Sequence, residues 1–94
     1  MYKFIISLQL QPGTREEILA RAPEVQVATR AEPGCIAYDF FTCTDDVDRL
    51  VFVESWTSKE AHDRHVEQAH TKEWIAFHEP KHVSFRFETI NVEP

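Results

Sequence analysis

Four of the five histidines, His62, His65, His70 and His78, are crowded into one short stretch of the chain. Imidazole is the side chain whose ordinary pKa lies nearest neutrality, so such a cluster suits proton transfer. His65 is the foremost candidate. It stands four residues after Ala61 and four before Ala69, so on a helix it shares their apolar face. There it either lines a pocket, where burial and neighbours tune its pKa, or sits as a hydrogen-bonded histidine of the core. His70 comes one turn before Trp74 and either faces the same cavity or caps a second helical segment. His62 and Asp63 fall on the charged side.

Other chemistries find less support. His62 and His65, with Glu60, Asp63 and Glu67 nearby, form neither an H-E-x-x-H motif nor a Cys/His cluster, so no metal site is expected. Cys35 and Cys43 lack a local histidine signature, and no G-x-S-x-G elbow is present, which argues against nucleophilic catalysis. With only 2 glycines there is no phosphate loop, hence no nucleotide or flavin fingerprint. Glu54 and Trp56 share one strand face. They form either a pocket wall with a polar handle or a strand-end carboxylate reaching water beside a core indole. Arg86, opposite Phe85 and Phe87, either pairs with Asp39 or Glu54 across an interface or binds an anionic group.

The elements that must hold these residues follow from periodicity. Tyr2, Phe4, Ile6, Leu8 and Leu10 alternate with polar residues, a strand with one apolar face. Pro12-Gly13 ends it. Thr14 and Glu17 read as a capping box opening a helix, with Ile18, Ala22 and Val25 as its inner stripe and Pro23 expected to kink or break it. Residues 35–43 and 50–57 are strand-like and joined by the short acidic turn 44–48, a hairpin. Thr57 and Glu60 read as a second capping box, starting a helix at residue 58 or 59. A break or a continuation follows near Ala69-His70, Trp74, Ile75 and Phe77 cover part of the core, and Pro80 closes the helical region. Val83, Phe85 and Phe87 then share one face of a last strand. The order β-α-β-β-α-β predicts a single α+β domain over residues 1–94, a ferredoxin-like four-stranded antiparallel sheet with helices on one side.

The hairpin strands are apolar on both faces: Phe40 and Phe41 point to opposite sides, as do Phe52 and Val53. Strands of that kind are covered on both sides, and the chain has helices for one side only. The other side is expected to meet a second copy. A net charge of −6 lacks the basic footprint for nucleic acid or an anionic membrane. The apolar run Met1–Leu10 is interrupted by Ser7 and Gln9 and is too short to span a bilayer. Cys35 and Cys43, if on one strand, lie about 27 Å apart and cannot bond to each other. Free thiols fit a reducing compartment, so the cytoplasm is the expected location.

The runs Glu32-Pro33-Gly34-Cys35-Ile36-Ala37-Tyr38 and Glu54-Ser55-Trp56-Thr57-Ser58-Lys59-Glu60-Ala61, followed by His65 and His70, resemble the antibiotic biosynthesis monooxygenase family. The resemblance spans essentially the whole chain and implies a dimeric α+β barrel, two ferredoxin-like sheets face to face, with a pocket between the sheet and helices of each subunit. It implies a cofactor-independent monooxygenase: several members oxidise polycyclic phenols, anthrones or quinols with O₂ as co-substrate and neither metal nor flavin. On that pattern His65 and His70 are the candidate catalytic residues, as general base or substrate hydrogen-bonder. Trp56, Tyr38, Trp74 and Arg86 are the candidate substrate-binding residues. Thr71 after the second histidine and Pro23 in the first helix depart from the family pattern. Haem-degrading relatives use an Asn at the end of the first strand, absent here, and a ligating His near the position of Ile75, for which His78 is the nearest substitute. Haem is therefore disfavoured. The alternatives to an oxygenase are a non-catalytic dimeric ligand-binding module and a haem-binding or haem-degrading relative.

Overall fold

The computed structural model describes residues 1–90. Strand β1 (Tyr2–Leu10) leads into helix α1 (Arg15–Arg30), then β2 (Cys35–Thr42), β3 (Arg49–Trp56), helices α2 (Lys59–Val66) and α3 (Ala69–His78), one 3₁₀ turn (Glu79–Lys81) and β4 (His82–Ile90). The strands form one sheet in the order β2-β3-β1-β4, every neighbouring pair antiparallel. This is the ferredoxin-like arrangement expected from the element order.

Register decides which residues share a face. Phe4 lies opposite Glu54, Ile6 opposite Phe52 and Leu8 opposite Leu50. Tyr38 lies opposite Glu54 and Phe40 opposite Phe52, and Phe87 and Phe85 lie opposite Ile6 and Leu8. Phe4, Leu8, Leu50, Phe52 and Tyr38 are buried beneath the helices. The other face carries Ile5 and Val53 as direct partners and Phe41 opposite Val51, with Phe41 half exposed. The helices leave this second face open. Edge strand β4 extends beyond their cover, so Val83, Phe85 and Phe87 are exposed although Phe85 and Phe87 belong to the helix side.

Three local expectations are corrected. Helix α1 runs unbroken through Pro23. Pro23 is exposed rather than part of the inner stripe of Ile18, Ala22, Val25 and Thr29, so the carbonyl it leaves unpaired can turn to water. The Thr14 side chain does not cap α1; its hydroxyl instead donates to the Gln11 carbonyl at 2.8 Å. The cap of α2 is Ser58, not Thr57. Its Oγ accepts from the Ala61 N–H at 3.1 Å, the N3 amide that a capping side chain ordinarily serves.

The turn between α1 and β2 is held at both ends by backbone hydrogen bonds. The Glu32 N–H donates to the Thr29 carbonyl at 3.0 Å, and the Cys35 N–H to the Glu32 carbonyl at 3.2 Å. Gly34 has φ +87, a conformation that glycine adopts without steric cost. Its carbonyl accepts from the Thr57 N–H at 2.8 Å, tying the turn to the end of β3. Pinned in this way, Glu32 faces α2.

Candidate functional site

A cavity of about 470 Å³ opens between the sheet and helices α2 and α3. Ile6, Tyr38, Phe52, Trp74, Phe85 and Phe87 supply most of its apolar wall. Glu54, His62, His65, Thr71 and His78 supply polar groups. Such a site, largely aromatic with a few convergent polar atoms, is the usual form of a small-molecule pocket.

His65 is buried. Its Nδ1 lies 2.8 Å from Oε2 of Glu32, and His70 Nε2 lies 2.8 Å from the same oxygen. A carboxylate can only accept hydrogen bonds, so both rings donate to it. That selects the Nδ1–H tautomer of His65. Thr71 Oγ1 stands 3.2 Å from the same nitrogen. Nε2 has no hydrogen-bond partner among the described residues, which leaves its lone pair on a ring that lines the cavity. Burial lowers the His65 pKa, and the hydrogen bond and charge of Glu32 oppose that, with the His70 charge acting in the same direction as burial. The product is a neutral, oriented imidazole with its charged form supported by a carboxylate, which is what a general base requires.

A second carboxyl group is tied to the Trp56 indole. Glu54 is only 3% exposed. Its Oε1 accepts from Trp56 Nε1 at 3.1 Å. Burial pushes its pKa up to about 7, partly offset by the indole hydrogen bond and reinforced by the charge of Glu32. Burial, and then the His65 charge, hold His62 down to about 4. Burial and the His82 charge hold His78 down to about 4. Tyr38 is raised by burial and by Glu54.

The structure brings some of the expected residues together and separates others. His65, Tyr38 and Trp74 line the cavity. His70 reaches the site through Glu32. Trp56 is fully buried and is not a cavity wall; its ring backs His65 at 4.7 Å between centroids and holds Glu54. Arg86 is absent from the cavity lining. It projects from the open sheet face, where it pairs with Glu88, because β4 alternates and Phe85 and Phe87 take the helix side. Asp39 pairs with Arg30 at 2.8 Å, and Glu54 lies on the other face, so neither meets Arg86. Ala69 is exposed, since the chain breaks between α2 and α3 before reaching it. His62 turns inward, its ring 4.6 Å from Phe4. The phenyl rings of the sheet widen the buried arc of α2 beyond the stripe through Ala61 and His65.

The residue that sequence reasoning misses is Glu32, which stands there only as the first of the run Glu32-Pro33-Gly34-Cys35-Ile36-Ala37-Tyr38, with no role assigned to it. Its proximity to Pro33-Gly34 is the one local signal that it is held at a defined place. Glu32, His65 and His70 are also the one grouping of metal-ligand side chains among the described residues, with donor atoms within 4.8 Å of one another. A cation could use them only in place of the two hydrogens they share. Asp63, a neighbour of the histidines in sequence, instead pairs with Lys59 at 3.2 Å, and Glu67 pairs with Lys72 at 3.2 Å.

Known proteins share this fold. The family model described as antibiotic biosynthesis monooxygenase matches residues 1–76. A Bacillus subtilis (strain 168) protein named "Putative monooxygenase YcnE" is 32% identical over 69 residues, which is 73% of each chain. A Synechocystis protein, sll1783, is 28% identical over 69 residues, 73% of this chain but 47% of its own length. The chain thus spans about half of that relative. A crystal structure of an antibiotic biosynthesis monooxygenase superposes over 100% of both chains with a TM-score of 0.92 at 26% identity. Rv0793 from Mycobacterium tuberculosis superposes over 99% of this chain and 95% of its own with a TM-score of 0.89 at 23% identity, a likeness of fold.

Proposed function

The chain belongs to the antibiotic biosynthesis monooxygenase family, and from that premise we propose that it is a cofactor-independent monooxygenase acting on a quinol-like or polycyclic aromatic substrate. The observation that carries this reading is the pairing of an aromatic-walled cavity with a histidine whose free Nε2 is set by a buried carboxylate. A planar ring enters between Tyr38, Phe52 and Trp74 with an acidic hydrogen at His65. Nε2 takes that proton, and the imidazolium so formed is stabilised by Glu32. The electron-rich anion then reduces O₂ itself and forms a carbon–oxygen bond. The resulting peroxide takes the proton back from His65. Loss of water, with a second hydrogen from the same carbon, leaves a carbonyl. One oxygen atom enters the product, the other leaves as water, and all four electrons come from the substrate. The protein binds the ring, moves one proton and excludes water from the anion.

Two copies packing through their open sheet faces would cover Ile5, Phe41, Val51 and Val53 and form the dimeric barrel. In solution this predicts a mass of about twice 11.0 kDa by light scattering at micromolar protein. Cytoplasmic residence goes with the two free cysteines and with the finding that no helix among the described residues is long and apolar enough to cross a membrane. Oxygen uptake with a panel of anthrones and hydroquinones tests the activity. One O₂ consumed per substrate, with one oxygen atom appearing in the product, is expected. Saturable binding of those compounds with no uptake would reduce the protein to a ligand carrier.

A further inference from the structure

We propose that Glu54 is a ligand-contacting hydrogen-bond donor, presenting a protonated carboxyl to the carbonyl oxygen of a quinone-type ring in the cavity. Glu54 lines the cavity and is only 3% exposed. Oε1 is committed to the Trp56 indole at 3.1 Å, and Oε2 has no partner among the described residues. With Oε1 held by the indole, the oxygen left for a ligand in the cavity is Oε2. The indole also fixes the sense of the carboxyl: the oxygen facing an N–H must accept, so any carboxyl proton resides on the other oxygen.

The surroundings favour the protonated form. Glu32 in the turn before β2, Cys35 and Tyr38 on β2, His62 and His65 on α2 and His78 on α3 are the titratable groups around this part of the site, with Glu79 and His82 farther out at the mouth. Glu32 adds negative charge. Tyr38 is raised, Cys35 is raised to about 11, and His62 and His78 are lowered to about 4, so these four stay neutral from pH 5.5 to 8.5. None of them offers Glu54 a compensating cation. With a carboxyl pKa of about 7, a donor is present at the acid end of that range and a carboxylate, which repels a carbonyl oxygen, at the other. The choice of ring rests on the proposed oxygenase reading; the hydrogen bond does not depend on turnover.

Binding of 2,3-dimethyl-1,4-naphthoquinone tests this against 2,3-dimethylnaphthalene, which has the same skeleton without the two oxygens. Equilibrium dialysis at pH 5.5 and 8.5 gives the preference of the protein for the quinone. The expected preference is larger at pH 5.5 and shrinks roughly five- to tenfold by pH 8.5, the value of one hydrogen bond. Glu54→Gln is the decisive variant. Its amide oxygen still accepts from Trp56, so the amide N–H₂ faces the cavity, and the preference should persist at both pH values. Glu79 and His82 at the cavity mouth are unchanged in that variant, so any titration of theirs survives in it. A wild-type preference that is absent or does not change with pH overturns the proposal. So does a Glu54→Gln variant that keeps the wild-type pH dependence or loses the preference altogether. Oxygen uptake does not enter the readout, so a protein that oxidises nothing can pass this test, and one that oxidises anthrones can fail it.

Discussion

His65 and His78 share a cavity, and both are buried with pKa values lowered by that burial. They differ in what stands behind the ring. His65 has Glu32 at 2.8 Å, itself held by His70. His78 Nδ1 is buried without a partner among the described residues, and its ring packs edge-on against Trp74 at 5.2 Å. Burial alone makes a histidine a neutral wall. Burial with a carboxylate behind it makes a histidine that can be charged for the duration of a reaction.

The sharpest way to break this contrast is to truncate each ring. His65→Ala should lower turnover by roughly 10²–10⁴-fold, the usual loss for an acid–base group, while His78→Phe should change it less than about threefold and leave thermal stability equal or higher, because it removes an unpaired buried nitrogen. Comparable losses in both variants would mean that the carboxylate confers nothing. His65→Ala should also destabilise the fold by about 1–3 kcal/mol, since the Glu32 contact is lost. In the sequence, pocket residue and core residue are alternatives for His65; in the structure it is both.

A finer test keeps the ring and alters what stands behind it. Glu32→Gln removes the charge that raises the His65 pKa. The acid limb of the pH–rate profile should therefore move to lower pH, with turnover falling about tenfold because the imidazolium loses its counter-charge. An unmoved limb would show that the limb belongs to another group.

The smallest expected effect lies in the pH dependence of stability. His62 and His78 have folded pKa values near 4, below the ordinary 6.5. The unfolded chain thus binds more protons between those values, and their contribution to stability rises with pH across that window. Glu54 works the other way: its folded pKa of about 7 exceeds the ordinary 4.5, so its contribution is present at low pH and is lost as pH rises through 7. His65, also lowered, works in the same sense as His62 and His78, so three groups oppose one, and urea midpoints should climb gently from pH 4 to 6.5 and then level or fall. Glu54→Gln removes the falling part and should steepen the climb.

Much of the fold is legible in the sequence because the alternation along β1 and the continuous apolar runs of the hairpin strands are local. The sheet-facing stripe of α2 through Ala61 and His65 is legible for the same reason. What is not legible depends on chain segments meeting. Glu32 lies 33 positions from His65, and no period links them. Trp56 reads as a ring-binding residue, but strand register places its indole under α2, where it orients Glu54 instead. Arg86 reads as a candidate anion binder until the alternation of β4 is matched to β1, which sends it to the open face. Pro23 reads as a helix breaker because the sequence does not say which side of α1 looks outward.

At Gly34 the site depends on an atom that is missing. A Cβ there would come within 2.6 Å of the Ala61 Cβ and 2.9 Å of Thr57 Oγ1. Methyl carbons ordinarily rest near 3.5–4.0 Å, so the turn and the first turn of α2 would have to separate by about 1 Å. Glu32 rides on one side of that joint and His65 on the other. Their 2.8 Å contact, lengthened by as much, would cease to be a hydrogen bond. The clearance between carboxylate and imidazole is thus machined by a bare backbone two residues from the carboxylate, and the hydrogen bond at one end of the helix inherits its tolerance from a steric gap at the other.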